Sequence, residues 1–481
     1  MLAFDQLAPQ PVWRHFAALC AIPRPSLGEA AVRRYLLDWA SGRGLATQTD
    51  VTGNLVIRRP ASPDRTERPA VILQAHLDMV CQANHGVAHD FAADPIRPVV
   101  EDGWVIAKET TLGADNGIGV ALALAALEDP RLAHPSIEAL FTVDEETGMG
   151  GARGLSPGLL QGSRMLNLDT EEWGEFTVGC AGGCDVMVAR NCRTVPPPAG
   201  YLVRQIAVSG LQGGHSGIDI HRGRGNANKL LLRLLRLLET RTDLHLAGLA
   251  GGTARNALPR EARALVALPA ADVDLVESAL ADQQALYRDE LAGADEGVTL
   301  QLGPGLTGPV IDRADQACLL AALHAAPHGV RRMSAAFPGV VETSNNLGIM
   351  RLDEGRFDAA LMVRSLRDSA TMALAEEITS LFSLAGCQAV IAGAYPGWTP
   401  NPRSTLLGLC RDVYRHEFQS EAVTQVIHAG LECGLIAGTY PDLDIISFGP
   451  TIKGAHAPGE RVDIASVSRT WHLLTAILAA L

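Results

Sequence analysis

The chain has 481 residues, of which 47% are hydrophobic and 19% charged, and its formal net charge is −13. A chain of this length is expected to form two or three domains with ample core. The acidic balance argues against a nucleic-acid-binding surface, and no apolar run approaches the ~20 residues that cross a bilayer. Nine scattered cysteines without a Cys-x-x-Cys pair, and an N-terminus without a basic and apolar leader, indicate a cytoplasmic protein.

Residues 11–183 alternate between helical patterns and short apolar runs. Helical periodicity predicts amphipathic helices around 12–21 and 28–41 and a buried helix at 120–127. The apolar runs predict buried strands at 54–58, 70–75, 137–143 and 165–168. Such alternation is typical of an α/β domain.

Polar residues stand at the ends of four of these predicted elements. They are His76 with Asp78, Asp115, Glu145 with Glu146, and Asp169. Open α/β sheets place ligand sites at the carboxyl ends of their strands, and a helix N-terminus also favours an anion. Each cluster alone is typical of a structural histidine, an N-cap or a solvated turn. Four clusters at matching ends of successive elements indicate one shared site.

Residues 184–394 show a different pattern, in which paired strands alternate with helices. A Pro-rich linker at 193–200 comes first. The predicted helices are 226–240, 272–291, 314–325 and 371–384, and the predicted strands are 203–208, 243–249, 263–268, 298–302, 346–352, 357–364 and 388–391. This pattern predicts an inserted α+β domain. Two successive passages have similar element orders, so a duplicated module is one interpretation.

Residues 395–481 resume the α/β pattern of residues 11–183. His456 lies in a Gly/Pro loop after the predicted strand 444–447, much as His76 follows 70–75. The predicted fold class is therefore α/β: a catalytic, metal-binding domain of residues 1–183 plus 395–481, with a mixed central sheet and helices on both faces. The α+β domain of residues 184–394 interrupts it, and such insertions are tolerated at surface loops.

Two imidazoles with three carboxylates form a donor set that suits zinc, cobalt or manganese better than calcium. The candidate ligands are His76, Asp115, Glu146, Asp169 and His456. Three carboxylates and one hydroxide balance two dications, whereas a single metal leaves an uncompensated buried anion. We therefore expect two metal ions, with zinc preferred. Asp78 is placed to accept the second ring N–H of His76.

These motifs resemble those of the M20 metallopeptidases. The resemblance rests on His76-Leu-Asp78, the 113–117 run Gly-Ala-Asp-Asn-Gly, the 144–148 run Asp-Glu-Glu-Thr-Gly, and the late His456. It continues in the 213–217 run Gly-Gly-His-Ser-Gly, in residues 426–434 and in Gly449-Pro450. With its long insertion, the chain is most similar to the aminoacyl-histidine dipeptidase (Xaa-His, including beta-alanyl-histidine) branch.

The resemblance implies a role for each residue of the metal site. His76 and Asp169 would bind one metal, Glu146 and His456 the other, and Asp115 would bridge them. Glu145 would be the general base, which takes a proton from the metal-bridging water and delivers it to the leaving amine.

The resemblance also makes the insertion a lid, with hinges expected near Gly183 and Tyr395. His215 would stabilise the oxyanion. Asn256 and Arg364 would hold the substrate's C-terminal carboxylate, and Glu432 its free amine. From the residues alone, His215 is also compatible with a flexible turn, Arg364 with a surface ion pair, and Glu432 with a helix cap.

The expected function is hydrolysis of dipeptides, with Xaa-His and carnosine-like substrates foremost, by a cytoplasmic homodimer. One alternative is another M20-type amide hydrolase, such as an N-acyl-amino-acid deacylase or a broad peptidase, which would not need Glu432. The other is a non-catalytic binding protein on the same fold, against which the presence of Glu145 and all five ligands argues.

Overall fold

The computed structural model describes residues 4, 6–306 and 308–481. The chain separates into two compact units. The first comprises Met1–Gly179, Trp398–Val426 and Leu431–Leu481, and the second Cys180–Gly397 and Ile427–Gly430. The chain thus passes between units four times, whereas the sequence pattern predicts two crossings. The functional division into 1–183 plus 395–481 and 184–394 stays a prediction, and its residues 1–3, 5 and 307 lie outside the described residues.

The helices of the described chain follow one another in this order: α1 Gln10–Cys20, α2 Ala30–Ser41, α3 Ala114–Glu128, α4 Glu145–Gly148, α5 Gly150–Arg153, α6 Ala227–Leu238, α7 Val273–Glu290, α8 Arg313–Ala325, α9 Asp368–Leu384, α10 Thr405–Phe418, α11 Glu432–Thr439 and α12 Ile464–Ala480. A short 3₁₀ turn, Ala270–Asp272, precedes α7.

The strands are β1 Ala46–Thr49, β2 Leu55–Arg59, β3 Val71–His76, β4 Val99–Glu101, β5 Trp104–Ile106, β6 Ile137–Thr142, β7 Arg164–Asn167, β8 Glu175–Cys180, β9 Gly182–Asn191, β10 Thr194–Val195, β11 Tyr201–Ser209, β12 His245–Gly251, β13 Ala262–Pro269, β14 Thr299–Pro304, β15 Val310–Ile311, β16 Gly329–Met333, β17 Val341–Asp353, β18 Arg356–Ser365, β19 Gln388–Tyr395, β20 Val423–Ile427, β21 Asp444–Ser447, β22 Ile452–Lys453 and β23 Arg461–Asp463.

The first unit is built on a mixed eight-stranded sheet in the order β1-β2-β6-β3-β7-β21-β8-β20. Strands β6, β3, β7 and β21 run parallel to their neighbours in this central part. Parallel strands are buried on both faces, and every residue of β3 and β6 is buried. Helix α3 packs against β3 and is buried from Ala114 to Leu127. The predicted α/β class with a mixed sheet is confirmed.

The second unit contains a separate antiparallel sheet in the order β14-β11-β13-β12-β17-β18-β9-β19, with β16 attached to β17. Its two halves, β14-β11-β13-β12 and β19-β9-β18-β17, share one order and meet where β12 pairs with β17. The apolar sides of α6 to α9 form one core with this sheet. The common order supports the duplication, which stays a prediction. Strand β9, which sequence analysis missed, precedes the first half although it belongs to the second.

No helix among the described residues is long and apolar enough to cross a membrane. The structure describes all nine cysteines, and none of them forms a disulfide.

Candidate active site

His76 is the last residue of β3 and is buried, with 1% of its side chain exposed. Its Nδ1 lies 3.2 Å from the carbonyl oxygen of Asp78 and 3.5 Å from the Asp78 carboxylate. Asp78 is thus the residue that lies beside Nδ1, and its backbone oxygen makes the shorter contact. A proton donated from Nδ1 leaves the Nε2 lone pair free to face a cation.

Glu145 and Glu146 are presented by a sharp turn at the end of β6. Asp144 adopts a left-handed conformation with φ 54°, and its N–H donates to Glu29 at 2.8 Å. The Asp78 carboxylate then accepts the backbone N–H groups of Glu145 and Glu146 at 3.0 and 3.1 Å. Asp78 thus fixes both the His76 loop and the Glu145-Glu146 turn.

Asp115 lies in the first turn of α3, but it and Asn116 depart from helical dihedrals. Its Oδ1 lies 3.0 Å from His76 Nε2 and its Oδ2 3.0 Å from His456 Nε2. One carboxylate therefore faces two imidazoles with its two oxygens, which is the arrangement a bridging ligand needs.

His456 and Asp169 complete the cluster in the first unit. His456, at φ 65°, places Nε2 3.2 Å from Glu146 Oε2, and Asp169 Oδ1 lies 3.5 Å from His76 Nε2. The five residues predicted as metal ligands are brought together, although residues 170–455 separate His456 from the others.

The donor set fits divalent cations. One atom each of His76, Asp115 and Glu146 lie within 4.8 Å of one another. Glu146 Oε1 and Asp169 Oδ1 are buried without a hydrogen-bond partner among the described residues. Buried carboxylate oxygens without partners are costly, and metal coordination is one way to satisfy them.

The titration of the site reflects its concentrated negative charge. Hydrogen bonds from His456 to Asp115 and Glu146 raise the pKa of that imidazole to about 11. Burial alone would lower the pKa of His76, but the nearby carboxylates of Asp169, Asp115 and Asp78 raise it well above its ordinary value. The carboxylates thus favour the protonated, positively charged imidazoles, and bound divalent cations would supply the same positive charge.

Glu145 is the acid of this turn that the ligand cluster does not require. Burial raises its pKa well above the ordinary value, and Glu432 and Glu146 add to the effect. Glu432 is 1% exposed, and its Oε2 accepts from Gln74 and Thr142, both at 2.7 Å. Its Oε1 has no partner among the described residues, and burial raises its pKa to about 7.

In the second unit, His215 has a defined tautomer. Its Nδ1 accepts the backbone N–H groups of Gly217 and Ile218 at 3.1 and 3.0 Å, so Nε2 must carry the proton of the neutral ring. Burial, followed by the nearby charge of Arg364, lowers its pKa to about 4. At neutral pH His215 is therefore an uncharged N–H donor.

Arg364 lies beside this imidazole on β18 and is 4% exposed. Its Nη1 donates to the Tyr395 hydroxyl at 2.8 Å, and Nη2 lies 3.5 Å from His215 Nε2. The Arg364 guanidinium and the His215 Nε2–H are both hydrogen-bond donors, so neither can accept from the other. An anionic oxygen placed between them would accept from both. Asn256 is exposed, and its backbone carbonyl oxygen accepts the Ser216 N–H at 2.9 Å, which holds its loop beside His215.

The sequence profile of Peptidase family M20/M25/M40 matches residues 72–480. The chain belongs to this family. As an M20 protein it is a peptidase, and the expectation of a hydrolase is confirmed.

Two relatives resemble this M20 chain over nearly its full length. The cytosol non-specific dipeptidase of Escherichia coli (strain K12) is 43% identical over 486 residues, 99% of each chain. The aminoacylhistidine dipeptidase of Vibrio alginolyticus is 44% identical, with a TM-score of 0.89 over 99% of this chain and 98% of that one. A tripeptidase of Staphylococcus aureus, 16% identical with a TM-score of 0.56 over 98% of both chains, shares the fold.

Sequence analysis of the M20 site missed residues that hold it together. Glu460 and Arg24 are buried charges beneath the ligand loops, each 2% exposed. The only sequence signal for Glu460 was its place four residues after His456, and a carboxylate in a Gly/Pro loop is ordinarily solvated.

Proposed function

We propose that this M20 peptidase is a dinuclear metal-dependent dipeptidase that hydrolyses Xaa-His dipeptides, including carnosine-like substrates. The observation that carries the proposal is the Asp115 carboxylate, whose two oxygens each lie 3.0 Å from a different imidazole. Residues in this arrangement would hold two cations, with the Asp115 carboxylate shared between them. The names of the two full-length relatives support a dipeptide substrate.

His76 and Asp169 would hold one metal, Glu146 and His456 the other, with Asp115 shared, and zinc is the proposed ion with cobalt or manganese as alternatives. When bound, a pair of divalent metals supplies Lewis-acid polarisation of the carbonyl and lowers the pKa of water. The chain's own contribution is to hold these ligands rigidly, and Asp78 does so through two backbone N–H groups.

Glu145 would act as the general base. It would take the proton of the attacking water as the C–O bond forms and give that proton to the amine as the C–N bond breaks. Its buried position and raised pKa suit a group that must both accept and return a proton.

The two ends of a dipeptide would be bound by groups of opposite charge. Arg364 and Asn256 would hold the C-terminal carboxylate, while the unpartnered Oε1 of Glu432 would face the free amine. A site that must bind both the free amine and the C-terminal carboxylate of its substrate would exclude longer peptides. In this proposal His215 would donate its Nε2–H to the oxyanion.

The proposal is tested by metal analysis and a substrate panel. Purified protein is expected to bind two divalent ions per chain and to hydrolyse Xaa-His and other dipeptides. It should leave N-acetyl-amino acids intact, because these lack the amine that Glu432 would bind. Hydrolysis of the acyl compounds alone would favour the deacylase alternative, and protein without metal or activity would contradict the proposal.

Arg364→Lys is predicted to raise KM for a dipeptide by ~10-fold or more, because lysine keeps the charge but loses the bidentate geometry. Steady-state kinetics on a dipeptide and on its C-terminal amide would check this. The amide lacks the carboxylate that Arg364 would bind, so its KM should not be raised further by the substitution. Arg356→Lys, on the same strand and paired with Asp358, is the control. Equal losses on both substrates would contradict a carboxylate role.

A homodimer in the cytoplasm is the proposed state of the protein. Two observations support the compartment: the nine cysteines form no disulfide, and the Escherichia coli relative is named a cytosol dipeptidase. Sedimentation of the purified protein at several concentrations would test the dimer, and a monomer at all of them would exclude it.

A further inference from the structure

Four consecutive backbone N–H groups, those of residues 112–115, point at one buried carboxylate. Glu460 Oε2 accepts from Leu112 at 2.7 Å and Gly113 at 3.0 Å. Its Oε1 accepts from Ala114 at 2.8 Å and Asp115 at 3.3 Å. Such a run of N–H groups forms an anion-binding nest, and here the anion comes from the loop that carries His456.

A buried guanidinium holds the same loop from its carbonyl side. Arg24 Nη2 donates to the Gly113 carbonyl at 2.5 Å. Its Nη1 donates to the carbonyls of Leu77 and Asp78 at 2.9 and 3.1 Å. Arg24 therefore ties the loop after His76 to the loop before Asp115, while Glu460 ties the latter to the loop of His456.

Both Glu460 and Arg24 bind the backbone of Gly113. Its N–H is bound by Glu460 and its carbonyl by Arg24. Its φ is 69°, and a Cβ there would lie 2.4 Å from Arg24 Nη2. Only glycine accommodates both the left-handed conformation and the guanidinium.

From these contacts we infer that Glu460 and Arg24 are positioning residues that join the three loops carrying His76, Asp115 and His456, and so set the affinity of the site for metal. The inference rests on the proposed metal site. Neither side chain is a candidate ligand. Outer partners that orient ligands commonly change metal affinity by ~10–100-fold when they are removed, because the free protein must then order the ligands as the metal binds.

The test measures metal affinity separately from catalysis. Glu460→Gln keeps the shape of the side chain but turns an NH₂ group toward backbone N–H donors. We expect the dissociation constant for Zn²⁺, measured by competition with a chromophoric chelator, to rise ~10–100-fold. The kcat at saturating metal should stay within a few-fold of wild type. Glu101→Gln, an exposed residue on β4 paired with Lys108, loses the same charge and should leave both quantities unchanged.

Arg24→Lys provides an independent measurement if Glu460→Gln does not fold. Lysine keeps the charge but lacks the fork that spans the three carbonyls, so Zn²⁺ affinity should again fall, with the metal-free variant still folded by circular dichroism. Unchanged Zn²⁺ affinity in folded variants would overturn the inference, as would a loss of kcat at saturating metal without a loss of affinity. Failure of the wild-type protein to bind metal would instead overturn the proposed function.

Discussion

Glu145→Gln is expected to lower kcat by at least ~10²-fold, the usual scale of a general acid–base group. The amide cannot take the proton of the attacking water, yet it has nearly the shape of the acid. The backbone N–H of residue 145, which donates to Asp78 at 3.0 Å, is untouched, so the turn and the proposed metal ligand Glu146 should stay in place. Both metal ions should therefore remain bound.

The measurement is kcat with metal content determined on the same sample. Asp144→Asn is the matched control, since it removes the neighbouring charge and asparagine tolerates the left-handed backbone at φ 54°. Its turnover should stay within a few-fold of wild type. If Glu145→Gln retains both metals and near-normal turnover, the base lies elsewhere.

The clustering of the five candidate metal ligands could be predicted from sequence because their positions follow from the topology of the sheet. His76 ends β3, while Glu146 and Asp169 come shortly after β6 and β7. These three strands are parallel neighbours in one sheet, and parallel strands end at the same edge. His456 could be included because it follows β21, which is parallel to β7.

The role of Glu460 and the existence of strand β9 could not be predicted from sequence, because both depend on contacts between distant parts of the chain. Glu460 binds the N–H of Asp115 across 345 positions, and the sequence contains no periodicity that reports such a contact. Strand β9 was missed because it opens with Gly182 and Gly183 and lacks a clean alternation. Its partners β18 and β19 stabilise it by long-range pairing, which overrides weak local propensity.

The His215 tautomer shows how the structure adds what sequence cannot. The residues alone indicated a glycine-rich turn, and the family resemblance implied an oxyanion-stabilising histidine, but neither defined the tautomer. The fold places the N–H groups of Gly217 and Ile218 on Nδ1, which fixes the proton on Nε2. Because the pKa is lowered to about 4, the ring gains a charge only as the pH falls toward that value, and it remains a neutral donor throughout the physiological range.

His215→Ala is accordingly expected to lower kcat by ~10²-fold or more, the scale of a lost oxyanion donor, with both metals retained. The donor would act on charge that develops in the transition state, so kcat should fall more than KM changes. His221→Ala, an exposed histidine of the same loop, is the control and should stay within a few-fold of wild type. Loss of metal from His215→Ala would make this residue a ligand or a fold element. An unchanged kcat would mean that His215 and the glycine-rich segment around it have no catalytic role.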